Sequence, residues 1–243
     1  MDYRRPILKK ARQRLATMNS VSQQHGTSSK NGVFALVLTT LAWFAVLLQC
    51  YLSLHLATQK GMSIGGGLSV YFSYFTVLTN LLICVSLTLS MAMPSSTLGQ
   101  WFSRPEVITG ITTSITFVGL SYHFLLRNIW NPQGAHLLAD TLLHYVVPAL
   151  YVLYWWLGFS KAALRWVHPL FWSAYPTVYL VYALIRGSLV GTYPYPFIDA
   201  AALGYGRTML NSFGLLFVFI ALGLAFVALG RARQRAYGVT EMK

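Results

Sequence analysis

Long apolar stretches alternate along this chain with short polar, charged or proline-rich breaks. Six stretches, 33–58, 69–92, 107–127, 137–158, 166–189 and 208–230, run about twenty residues or more with few charged side chains. An α-helix of that length crosses the roughly 30 Å of a bilayer core, so the pattern predicts an all-α polytopic membrane protein with six transmembrane helices. A transmembrane barrel would show shorter segments that alternate residue by residue. The breaks fit this reading. They are Lys60 with Gly65-Gly66-Gly67, then Met93-Pro94-Ser95-Ser96, Asn131-Pro132-Gln133-Gly134, Lys161 with Arg165, and Tyr193-Pro194-Tyr195-Pro196. Each proline lacks a backbone donor and restricts the residue before it. The expected organisation is a basic polar tail over 1–32 that reads as disordered, a six-helix domain over 33–230, and a second basic tail over 231–243. No apolar stretch precedes residue 33, so no signal peptide is expected.

Polar positions inside the spans sharpen the picture, because polar side chains are costly in hydrocarbon. In the second span Ser69, Ser73, Thr76 and Asn80 step by four, three and four, which puts them on one helical face, with Thr79 pointing elsewhere. In the fourth span His136, Asp140, His144, Pro148 and Tyr151 share a face, and Asp140 and His144 are spaced to touch. Pro148 leaves a carbonyl near residue 144 without its helical donor, which predicts a kink. With six spans, Thr76 and His144 each lie seven residues inside the same side, at a depth of about 10 Å by the helical rise. His123, Arg127, Arg186, Asp199, Arg207 and Asn211 fall on that side too. The polar groups therefore converge on one half of the membrane. The Trp and Tyr cluster over 151–156 reads as an interfacial aromatic belt.

Composition supports the class: mean hydropathy is +0.54 and charged residues make up 9% of the chain, against about 25% in soluble domains. The net charge of +13 arises from 18 Lys and Arg against five Asp and Glu, and eleven of the 18 lie in the two tails. With Arg104, Lys161 and Arg165 the tail side carries fourteen, and the other side only Lys60, Arg127, Arg186 and Arg207. The positive-inside rule then puts both termini in the cytoplasm. The basic charge reports topology, and no nucleic-acid partner is expected. Cys50 and Cys84 lie inside spans, so no disulfide framework is expected. There is no HExxH run and acidic residues are few, so neither a metal nor a cofactor is expected.

A hydroxyl is a weak nucleophile at neutral pH and needs a base, and the base gains from a group that orients it. Thr76, His144 and Asp140 supply those types, while Asn80 or Arg186 could hold an oxyanion. Two alternatives stand beside this reading. One is a lipid or small-molecule binder or transporter using the same polar pocket. The other is a stripe that only packs helices together.

YFTVLTN in the second span, LLHYVVP in the fourth and RGSLVGTYPYPFID after the fifth resemble a bacterial group of six-span membrane proteins. That group is distantly similar to the animal androgen-induced and androgen-dependent threonine hydrolases of fatty acid esters of hydroxy fatty acids. The resemblance covers residues 33–230. It implies Thr76, after Tyr74-Phe75, as nucleophile and His144, before Pro148, as the catalytic histidine. The Gly-x-x-x-Tyr-Pro-Phe-x-acid segment falls on Gly191, Tyr195, Pro196, Phe197 and Asp199, which implies Tyr195 and Asp199 as site residues. The implied partners are a lipid substrate and the bilayer, and the implied location is a bacterial inner membrane. The animal members place one more residue between His and Pro and carry Asn where this chain has Asp140. Arg186 belongs to the bacterial pattern.

Overall fold

A computed structural model describes the backbone of residues 4–158, 161 and 163–240, with side chains for 32–158, 161 and 163–235. The expectation of a disordered tail over 1–32 falls almost wholly on residues whose side chains lie outside that set. The helices are α1 (Arg4–Gln59), α2 (Ile64–Tyr71), α3 (Phe75–Ala92), α4 (Thr97–Phe102), α5 (Pro105–Ser121), α6 (Ala135–Thr141), α7 (Val147–Leu157), α8 (His168–Trp172), α9 (Ala174–Val190) and α10 (Ala200–Thr240). One π-helical turn, Tyr122–Leu126, extends α5, and a second, Leu142–Val146, joins α6 to α7. A 3₁₀ turn, Pro196–Ile198, precedes α10. The chain divides into two compact units, 1–37 and 38–243, and the packing and the site described below belong to the second.

Among the described residues, five helical stretches are long and apolar enough to cross a membrane: Gly32–Gln59, Phe75–Ala92, Pro105–Leu126, Ala135–Leu157 and Ala200–Arg235. The stretch expected as the fifth span, 166–189, folds as α8 and α9 with a break at Ser173. Of these, α9 has 17 residues, about 26 Å at the helical rise.

The expected second span, 69–92, is not one helix. α2 ends at Tyr71, Tyr74 is extended (φ −89°, ψ 128°), and α3 starts at Phe75. A break in apolar surroundings must find partners for its backbone groups. Two tyrosines of α9 provide them: Tyr179 donates to the Ser73 carbonyl (2.9 Å) and Tyr182 to the Phe72 carbonyl (3.4 Å). The break removes Ser69 and Ser73 from the face that Thr76 and Asn80 share. It also leaves Thr76 in the first turn of α3 instead of two turns inside a longer helix.

The buried middle of the unit is built around α5. Its Thr109, Thr112, Thr113 and Ser114 are all buried. Each hydroxyl donates to the carbonyl four residues back, at 2.6–3.0 Å, which satisfies these groups within their own helix. Trp155 donates from Nε1 to Thr109 Oγ1 (2.9 Å). Tyr151 and Trp155 are fully buried, so this part of the expected aromatic belt is core, whereas Trp156 is exposed.

Lys161, between α7 and α8, caps the end of α7 by donating from Nζ to the Trp155 carbonyl (2.7 Å). Burial, with Arg233 nearby, pushes its pKa down to about 8 from 10.5. The folded protein therefore holds fewer protons than the unfolded chain between these two values, and stability rises with pH across that window. Thermal unfolding in detergent from pH 7.5 to 10 is expected to show this rise, and Lys161→Met is expected to flatten it.

Candidate active site

The site begins with a missing hydrogen-bond donor. In the second π turn the Val147 N–H bonds the Leu142 carbonyl, five residues back. That withdraws the α-helical donor from the Leu143 carbonyl. The π-helical alternative would be residue 148, a proline with no N–H. Asn80 of α3 fills the vacancy. Its Nδ2 donates to the Leu143 carbonyl (3.2 Å) and to the Thr76 carbonyl (2.9 Å). Asn80 is fully buried, and its Oδ1 meets no partner. The opposite amide orientation would face two carbonyl oxygens with a third, so the donor assignment is secure. One side chain thus ties the backbone of Thr76 to the residue before His144. Gly119 lets α5 come equally close, since a Cβ there would lie 3.0 Å from the His144 carbonyl oxygen.

Across this staple, Thr76 Oγ1 and His144 Nε2 stand 3.3 Å apart. The other ring nitrogen, Nδ1, lies 2.9 Å from the Asp140 carbonyl and 3.3 Å from Asp140 Oδ1. A carbonyl and a carboxylate can only accept, so Nδ1 carries the proton. In the neutral ring, that leaves the Nε2 lone pair to face the threonine hydroxyl. Asp140 Oδ2 accepts a 2.5 Å hydrogen bond from the Tyr122 hydroxyl. The Tyr122 ring stacks on the imidazole with centroids 3.9 Å apart and planes 18° apart. Tyr122 therefore holds both the imidazole and the carboxylate beside it.

Tyr74 is the N-cap of α3 and Thr76 follows in its first turn, where backbone N–H groups have no intrahelical acceptor and the helix dipole is positive. The Thr76 N–H instead meets the Tyr195 hydroxyl (3.3 Å), which also lies 3.5 Å from Thr76 Oγ1. Tyr195 sits in the connection before α10, and burial raises its pKa. It remains neutral, with a proton to give.

Thr76, Tyr122 and Tyr195 line a cavity of about 270 Å³ between α5, α9 and α10. Its other walls are chiefly apolar, among them Phe75, Phe117, Leu180 and Phe219.

Of the residues singled out from sequence, Thr76, His144, Asp140, Asn80 and Tyr195 come together. Both Asn80 amide hydrogens go to carbonyls, which assigns it to positioning in place of the expected oxyanion role. Arg186 donates from Nη1 to the carbonyl and hydroxyl of Thr192 (2.7 and 3.2 Å). Asp199 Oδ1 accepts from the Ala201 and Ala202 N–H groups, both at 3.0 Å, and so caps α10. Neither lines the cavity. Thr79 bonds the Phe75 carbonyl (2.7 Å). Sequence reasoning missed Tyr122. Its one signal was its place at the end of the third span, on the side where the other polar groups gather.

No protein-family model matches the chain, and neither a curated protein nor a solved structure matches it at a significant level.

Replacing Asn80 by Leu keeps the bulk and removes both donors. A buried carbonyl left unpaired costs about 1–3 kcal/mol. Asn80→Leu is therefore expected to lower the thermal unfolding midpoint in detergent, followed by tryptophan fluorescence. A surface substitution such as Gln133→Leu is expected to leave the midpoint unchanged.

Proposed function

We propose that the chain is a six-span intramembrane lipid-ester hydrolase of a bacterial inner membrane, with both termini cytoplasmic. Thr76 is its nucleophile and His144 its base. The observation that carries this reading is the alignment of Thr76 Oγ1, the bare Nε2 of His144 and the Asp140 acceptors at the wall of an apolar cavity. The resemblance on YFTVLTN, LLHYVVP and RGSLVGTYPYPFID supports the same roles. It points to fatty acid esters of hydroxy fatty acids as the substrate class.

The chemistry follows from the proton positions. His144 Nε2 takes the Thr76 hydroxyl proton as Oγ1 bonds to the ester carbonyl carbon. The carbonyl oxygen becomes an oxyanion near the positive end of α3 and the Tyr195 hydroxyl, the available proton donor. As the tetrahedral species collapses, the ester C–O bond breaks and the imidazolium returns its proton to the leaving alcohol. Water then gives a proton to Nε2 and attacks the acyl-threonine. Collapse releases the fatty acid and returns the proton to Thr76. Asp140 accepts from Nδ1 throughout and stabilises the imidazolium, while Tyr122 holds Asp140 and the ring in place.

Hydrolysis of a fatty acid ester of a hydroxy fatty acid by detergent-purified protein tests the reading. Thr76→Ala is expected to abolish turnover, and His144→Gln to lower kcat by about 10²–10⁴-fold. Full turnover in Thr76→Ala would overturn the nucleophile assignment. Ligand binding without turnover in the wild-type protein would point to a binder or transporter.

A further inference from the structure

The cavity ends on a phenylalanine floor. Its lining stops at Phe117 on α5, Pro176 on α9 and Phe219 on α10. Along α10 it runs from Met209 to Phe219, about 15 Å at the helical rise. Thr76 and Tyr195 line the same cavity. The floor is a stack of edges. Phe75, next to the nucleophile, meets Phe117 at 6.3 Å between centroids, and Phe117 meets Phe219 at 5.6 Å, both T-shaped. Phe219 is fully buried. The side is different: Phe213 of α10 is 67% exposed and Thr177 of α9 is exposed, and both line the cavity. An apolar ligand can thus enter sideways between α9 and α10.

Resting on the hydrolase reading, we propose that Phe219 sets the acyl-chain length, so that the enzyme selects esters of a single medium-length acyl chain. An apolar cavity of about 150 Å³ holds the six carbons of benzene, so about 270 Å³ scales to roughly ten carbons. The carbonyl sits at Thr76 and the methyl end of the chain rests on Phe219. A longer chain must leave through the side opening or displace the ring. A branched or two-chain lipid puts only one limb in the cavity.

Two variants move the limit in opposite directions. Phe219→Ala deepens the cavity. Ser212→Leu fills it halfway, since Ser212 is buried, lines the cavity and lies seven residues before Phe219 on the same helical face. The readout is kcat/KM for p-nitrophenyl esters of butyrate, octanoate, decanoate and palmitate, compared as ratios within each variant so that a loss of folded protein cancels. Wild type is expected to peak at octanoate or decanoate. Phe219→Ala is expected to raise the palmitate-to-octanoate ratio about tenfold or more, and Ser212→Leu to lower the decanoate-to-butyrate ratio by a similar factor. Unchanged ratios in both variants, or a wild-type optimum at palmitate, would overturn the inference. A second arm needs no turnover: displacement of cis-parinaric acid from Thr76→Ala protein by the same free fatty acids should rank them in the same order, with and without Phe219→Ala. Failure of wild type to hydrolyse any ester would sink the hydrolase reading alone, and the displacement order would then decide the chain-length limit. No chain-length preference in that displacement would overturn it.

Discussion

The site hangs on one carbonyl that its own helix cannot satisfy. Pro148 removes a donor, the π turn before it diverts another, and the Leu143 oxygen turns to Asn80 of a different helix. In apolar surroundings an unpaired carbonyl costs more than it would in water, where solvent supplies a substitute. That cost makes the contact between α3 and the turn at His144 specific in register as well as favourable. Asn80 also holds the Thr76 carbonyl. The spacing of hydroxyl and imidazole therefore follows from a backbone constraint, and the two side chains need not find each other through rotamer freedom alone. Non-helical turns of this kind recur at functional sites because they re-aim side chains. Here Tyr122 opens one π turn and His144 sits in the other.

Electrostatics then give each group a single role. The Nδ1 proton is committed to acceptors, so the imidazole presents a base to Thr76 and nothing else. The same threonine occupies the first turn of a helix, where the backbone dipole favours negative charge. Low dielectric amplifies both effects. The break that starts α3 at Phe75 is thus part of the site: a continuous helix through residues 72–74 would bury that end and its dipole inside the turn before.

The helical class and most of the membrane stretches were legible from hydropathy alone, because twenty apolar residues in a row have few other uses. The pairing of Asp140 with His144 was legible from their spacing, and the meeting of Thr76 with His144 from depth. The break at 72–74 was not. Nothing local in YFSYFTVLTN forces it, and its carbonyls are satisfied by Tyr179 and Tyr182, more than a hundred residues away. The role of Asn80 was hidden for a related reason. A buried asparagine one turn from the proposed nucleophile suggests an oxyanion donor until the orphaned carbonyl at Leu143 is seen. Asp199 sat in the most specific of the resembling segments, yet the pattern alone did not separate capping the next helix from touching a ligand.

As the proposed nucleophile, Thr76 must form a covalent bond through its Oγ1. Peptide mass spectrometry of detergent-purified protein treated with a fluorophosphonate tests this directly. One phosphonyl adduct is expected, located on Thr76 and absent from the His144→Gln protein. An adduct on Ser73, Ser121 or Tyr195, or no adduct on a preparation that hydrolyses lipid esters, would contradict it.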